Sequence, residues 1–152
     1  MALPALGAPA PDFTLDATSG QAVTLSALRG RKVLLAFFPL AFTRVCTTEL
    51  CAFSDDYARF EAAGAVVLPV SIDAVPSLKA FKAQEKMTVE LLSDIKRDAS
   101  RKYGVLDEDR FFARRSYFVI DRAGLLRWAH VEEHNGLRRD DAELQAQLEA
   151  IA

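Results

Sequence analysis

Two cysteines, two histidines, one tryptophan and no Cys-x-x-Cys pair occur among the 152 residues of this chain. So sparse a cysteine set excludes a disulfide framework, and the missing Cys-x-x-Cys argues against a dithiol exchange centre. No apolar run approaches the roughly 18 residues of a membrane span. Residues 1–9 carry no basic segment and are broken by Pro4 and Pro9, so a secretory signal is not expected. Nineteen basic residues against 21 acidic give a net charge of −2 with no basic tract and no acidic tail, so neither nucleic acid nor an anionic membrane is an expected partner. Repeats, low-complexity stretches and linkers are missing too. What is there is 51% hydrophobic and long enough for one domain over residues 1–152 with a continuous core. The expectation is a cytoplasmic protein whose partner is a small molecule or another protein, with cysteines kept for chemistry rather than for structure.

The hydrophobic pattern orders the chain. Residues 12–15 and 21–25 alternate about the turn Ser19-Gly20 and predict an N-terminal hairpin. One helical turn over 26–29, closed by Gly30, leads to a buried strand over 32–38. A helix over 43–62, stopped by Gly64, presents Cys46, Leu50, Phe53, Tyr57 and Phe60 on one face. A buried strand over 65–72, a helix over 77–84 behind Pro76, and a short helical piece over 99–103 ended by Gly104 follow. Residues 117–120 and 125–130 predict a second hairpin and 140–151 an amphipathic closing helix. Strand, helix, strand, helix, hairpin, helix is the order of an α/β, thioredoxin-like fold, here with an N-terminal β-hairpin extension.

The chemistry concentrates at Cys46. A buried strand delivers Thr43 and then Cys46, at Thr-x-x-Cys spacing, into the first turn of a helix. The unpaired N–H groups and macrodipole of that turn favour an anion. With Thr43 as N-cap, Cys46 falls at the third helical position, whose N–H a cap hydroxyl normally reaches, so hydroxyl and thiol are expected side by side. Moving an ordinary thiol from a pKa of about 8.5 to about 6 takes roughly 3.4 kcal/mol, more than the 1 or 2 of a helix terminus, so a cation is expected nearby.

Residues 37–46, Phe-Phe-Pro-Leu-Ala-Phe-Thr-Arg-Val-Cys, resemble the peroxiredoxin active-site signature Pro-x-x-x-Thr-x-x-Cys at Pro39, Thr43 and Cys46. Asp12-Phe13-Thr14-Leu15 resembles the family's opening segment, and Arg115-Ser116-Tyr117-Phe118-Val119-Ile120-Asp121 the strand carrying its active-site arginine. The resemblance implies peroxide reduction, with Cys46 as peroxidatic thiolate, Thr43 and Arg115 binding the peroxide oxygens and Pro39 shielding the sulfur. Donors aimed at the developing negative charge suit that chemistry. Glu49 matches a glutamate that orients the arginine, and a bidentate Glu49–Arg115 pair is expected. The family commonly has Thr where this chain has Tyr117, and Arg114 beside Arg115 makes the choice of arginine depend on strand register.

Cys51, five residues after Cys46, has the spacing of the resolving cysteine in the bacterioferritin-comigratory (Q-type) peroxiredoxins, whereas residues 39–43 are more similar to the alkyl hydroperoxide reductase E clade. The implied cycle runs through a sulfenic acid at Cys46 and a Cys46–Cys51 disulfide reduced by a thioredoxin-like or glutaredoxin-like protein, with no metal, haem or flavin. In an intact helix residues five apart have Cα atoms roughly 8.6 Å apart, beyond disulfide reach, so bridging requires the first turns to unwind. A one-cysteine enzyme using an external thiol, a thiol–disulfide oxidoreductase, and a non-enzymatic holdase are the alternatives. Phe42, Phe111 and Phe112 either line a peroxide pocket or, more commonly for such residues, fill the core. His130-x3-His134 with the two cysteines nearly satisfies zinc spacing, but surface positions are expected for both histidines. Monomer and homodimer both remain open.

Overall fold

The computed structural model describes residues 2–151. In chain order the elements are β1 (Thr14–Ala17), β2 (Ala22–Thr24), a 3-10 turn (Leu25–Leu28), β3 (Lys32–Phe37), α1 (Arg44–Asp55), α2 (Tyr57–Ala62), β4 (Ala65–Ser71) and α3 (Val75–Glu85). They continue with β5 (Leu92–Ser93), α4 (Asp98–Lys102), β6 (Leu106–Asp107), β7 (Phe112–Ala113), β8 (Ser116–Ile120), β9 (Leu126–Val131) and α5 (Asp141–Glu149).

All six residues of β3 are buried, as expected of a nearly unbroken apolar run covered on both faces. It pairs in parallel with β4 and antiparallel with β8, at the centre of a sheet ordered β2-β1-β5-β4-β3-β8-β9. Because side chains alternate along a strand, Leu34, Ala36 and Phe38 pack on one face with Phe53, Phe60, Phe81 and Leu144. Val33, Leu35 and Phe37 pack on the other with Phe13, Tyr103 and Phe118. The same alternation in β8 turns Tyr117 and Val119 toward the α1 face and Phe118 and Ile120 away from it. Arg115, two residues before Tyr117, therefore shares the α1 face, while Arg114 is exposed.

The thioredoxin-like order and the N-terminal hairpin hold, β1 pairing with β2 from Thr14↔Thr24 to Asp16↔Ala22. Three features differ from the expectation. The helix predicted over 43–62 is broken at Asp56 (φ −97°, ψ 9°) into α1 and α2, and Thr43 caps it from outside. Pro76, expected ahead of its helix, sits inside the first turn of α3, a position that needs no backbone donor. The short strand β5 and the hairpin β6–β7 are too brief to show a period and went unpredicted. Gly64, at φ +77°, reverses the chain from α2 into β4.

α5 is tied down at both ends. Asp140 Oδ1 accepts from Glu143 N at 2.9 Å, and Lys32 Nζ donates to Leu148 O at 2.9 Å, placing a buried cation on the negative end of the helix. Asp141 is buried with no donor on either carboxylate oxygen, and burial together with the nearby Asp56 carboxylate pushes it up to about 7. Between the unfolded carboxylate value near 4 and about 7 the folded chain thus holds the extra proton, and this group's contribution to stability falls as pH rises through that window. The melting temperature of Asp141→Asn is expected to gain on wild type by on the order of 3 °C between pH 5 and pH 7.5. Thermal melts at the two values check this; a pH-independent difference would contradict it.

Candidate active site

Cys46 is the third residue of α1 and is 1% exposed. The segment that leads to it is held by its backbone: Phe38 N donates to Val70 O at 2.9 Å and Ala41 N to Asp73 Oδ2 at 2.9 Å. Pro39 is buried in this turn, and Phe42 takes a left-handed conformation (φ 65°). Thr43 is the N-cap residue, but its hydroxyl donates back to Leu40 O at 2.7 Å and makes no cap bond to the helix. The expected pairing of hydroxyl and thiol through the third N–H is therefore not made; the loop carbonyl takes the hydroxyl hydrogen instead.

The cation beside the thiol is Arg115. Its Nη2 donates to Cys46 Sγ at 3.0 Å and its Nη1 to Glu49 Oε1 at 2.7 Å, with Arg115 1% and Glu49 0% exposed. Asn135 completes the cradle: its carbonyl accepts from Arg115 Nε (3.4 Å) and Nη2 (3.3 Å), and its Oδ1 from Arg115 N (3.2 Å). The expected bidentate Glu49–Arg115 pair is replaced by a single contact, because the second guanidinium nitrogen is directed to sulfur and the second carboxylate oxygen accepts from Tyr117 Oη. Burial works against the Arg115 charge, and Glu49 and Cys46 more than offset it, so its pKa lies above the ordinary arginine value. Burial pushes Glu49 up, while Arg115, Tyr117 and Arg138 oppose the rise. A guanidinium directed at sulfur in a site closed to water can present a donor to an oxygen approaching that sulfur.

Cys51 lies on the same helix, half-buried, its Sγ 3.8 Å from Glu85 Oε1. Burial first, then Glu85 and Asp55, push its thiol up, and the two cysteines are not bonded. The three phenylalanines weighed as pocket or core are not fully buried. Phe42 is 49% exposed against Phe81, Phe111 is 44% exposed with Arg97 Cζ 4.3 Å above its ring, and Phe112 is half-buried in β7. Of the two histidines, His130 Nε2 lies 2.9 Å from Glu132 Oε1 and His134 Nδ1 accepts from Gly136 N at 3.3 Å. Among the described residues no group of three or more His, Cys, Asp or Glu is arranged to hold a metal, and no helix is long and apolar enough to cross a membrane.

Nothing in the sequence marks Asp73 and Asn135, and Tyr117 stands out there only as a departure from the family's usual Thr. Tyr117 was within reach of strand alternation, being two residues from Arg115; Asn135 and Asp73 act from loops whose approach no local pattern announces.

The AhpC/TSA family matches residues 6–129. Alkyl hydroperoxide reductase E of Mycobacterium tuberculosis is 41% identical over 136 residues, covering 88% of this chain and 89% of that protein. Among solved structures, AhpC of Mycobacterium tuberculosis superposes with a TM-score of 0.87 at 28% identity over 98% of both chains. The reduced 2-Cys peroxiredoxin of Plasmodium vivax superposes with 0.88 at 29% identity, over 95% of this chain and 80% of that one.

Proposed function

Because the chain belongs to the AhpC/TSA family and is a thiol-dependent peroxidase, we propose that Cys46 is its peroxidatic residue, with Arg115, Thr43, Pro39 and Glu49 completing the centre. The observation that carries this reading is the 3.0 Å contact of Arg115 Nη2 with Cys46 Sγ at the third position of α1. The Cys46 thiolate attacks one peroxide oxygen, the O–O bond breaks, and the leaving alkoxide or hydroxide takes a proton from water. Arg115 stabilises the charge that develops, Glu49 orients Arg115, and Pro39 keeps water from the sulfur. Thr43 acts through its oxygen: its hydrogen is engaged by Leu40 O, so toward a peroxide it serves as an acceptor.

The Cys46 sulfenic acid then condenses with the Cys51 thiol, releasing water and forming a disulfide. A thioredoxin-like or glutaredoxin-like dithiol reduces it through a mixed disulfide. Substrates are hydrogen peroxide and organic hydroperoxides, and one domain over residues 1–152, monomeric or homodimeric, carries the cycle in the cytoplasm, where free thiols are kept reduced. Closing the bridge needs the first turns of α1 to unwind, since helical Cα atoms five apart stand roughly 8.6 Å from one another. The raised Cys51 thiol makes this step slow near neutrality and faster as pH rises. Both features favour, as a second reading, release of the sulfenic acid by an external thiol.

Peptide-mapped thiol analysis after one equivalent of hydrogen peroxide, beside Cys51→Ser, separates the two. Wild type is expected to yield the Cys46–Cys51 disulfide and the variant to stop at oxidised Cys46. Oxidised Cys46 beside a free Cys51 in wild type supports the external thiol, and an unreactive Cys46 defeats both.

A further inference from the structure

Glu49 is held from two sides, and only one side is the arginine. Its Oε2 accepts from Tyr117 Oη, and Tyr117 Oη in turn accepts from Arg139 N at 3.1 Å, so the phenolic hydrogen has Glu49 as its acceptor. Tyr117 is 0% exposed, and burial and Glu49 hold its phenol far above the usual range, so it stays a donor at every working pH. The Arg139 side chain is itself anchored, its Nε lying 3.0 Å from Glu132 Oε2 and 3.6 Å from Glu143 Oε2.

We propose that Tyr117 is a positioning residue of the peroxidase centre: its hydroxyl holds Glu49, and through Glu49 the Arg115 guanidinium, where it reaches both the sulfur and an incoming peroxide oxygen. The proposal rests on the peroxidase reading above. A wholly buried carboxylate with one oxygen left unbonded is expensive, and it escapes by taking a proton. Facing Glu49 are Arg115 from just before β8 and Tyr117 from within it, Cys46 from its own helix, Arg138 from the loop after β9, and Asp141 from α5. Burial already biases Glu49 toward its neutral form, so loss of one donor shifts it further that way. Neutral Glu49 no longer fixes Nη1, and the arginine is left to its contacts with sulfur and Asn135.

The test compares two reagents. Peroxide reduction needs Arg115 in place, whereas alkylation of Cys46 by iodoacetamide needs only the thiolate. Tyr117→Phe, which preserves ring volume, is expected to slow peroxide reduction at pH 6.5 by about tenfold or more while alkylation changes by less than about threefold. The peroxide loss should shrink as pH rises and Glu49 regains its charge. In a Glu49→Gln background the same substitution should cost less than about twofold. Parallel changes with both reagents, an unchanged peroxide profile, or the full loss in the Glu49→Gln background would overturn the proposal. Should Tyr117→Phe fail to fold, ring-fluorinated tyrosine placed at 117 keeps the shape and strengthens the donor; it should move the peroxide profile toward acid, and no movement counts against the role. If wild type itself does not react with peroxide while Cys46 still alkylates, the peroxidase reading fails rather than this one.

Discussion

Cys46→Ser is expected to abolish turnover of hydrogen peroxide, lowering the rate on the order of 10⁴-fold or more. A serine hydroxyl ionises far above neutral pH and, unlike a thiolate, is a poor nucleophile toward the O–O bond, so the loss should not be recovered by raising substrate. The exchange removes little volume, and the serine hydroxyl can still accept from Arg115 Nη2, so the fold should persist; a melting curve beside wild type verifies that the effect is chemical. Consumption of peroxide under dithiothreitol is the measurement. A surviving rate would place the nucleophile elsewhere, and Cys51 is the one other cysteine available.

Arg115→Lys should cost about 10²- to 10³-fold in the second-order rate with peroxide. Lysine keeps the charge but concentrates it at one point, and no single ammonium can serve Cys46 Sγ, Glu49 Oε1 and the Asn135 carbonyl as the guanidinium fork does. The expected loss falls on the peroxide step, because the donor proposed to meet developing oxygen charge is displaced. Arg115→Met removes the charge as well and leaves Glu49 buried without its cation, a change of about 3–5 kcal/mol in stability. Since Glu49 can then take up a proton, that destabilisation should ease as pH falls. Stopped-flow peroxide rates for the lysine variant and melts between pH 5 and 8 for the methionine variant check the pair. A lysine variant within a few-fold of wild type would mean that the fork geometry does not matter.

Much of the molecule was readable because its signals are local. The unbroken apolar run at 33–38 pointed to a strand covered on both faces, and the three-and-four spacing from Cys46 to Phe60 to helical structure lying on it, though the break at Asp56 that divides it into α1 and α2 left no mark on that spacing. Thr43 and Cys46 at the start of that helix marked the thiol, and the demand for a cation followed from the size of the shift a helix end supplies. Misreadings arose where a side chain had several partners to choose from. The Thr43 hydroxyl turned to Leu40 O rather than into the helix, and Glu49 divided its oxygens between Arg115 and Tyr117 instead of taking the arginine with both. Phe42 and Phe111 lie half-exposed on left-handed backbone, a conformation that composition does not reveal.

By itself, then, the sequence determined the order of elements, the buried faces and the position of the thiol, all of which depend on residues within a few places of one another. Only the tertiary structure decided which arginine meets Cys46. β8 pairs with β3 in a register that puts Phe37 opposite Ser116, and alternation counted back from Tyr117 then puts Arg115, the residue just before β8, and not Arg114, on the α1 face. It also brought Asn135 and Arg139, from the loop beyond β9, onto those two side chains. Contacts such as those of Arg115 with Glu49 and Cys46, 66 and 69 residues away in sequence, leave no period to read; they exist because the buried guanidinium and carboxylate must find partners once the strands close.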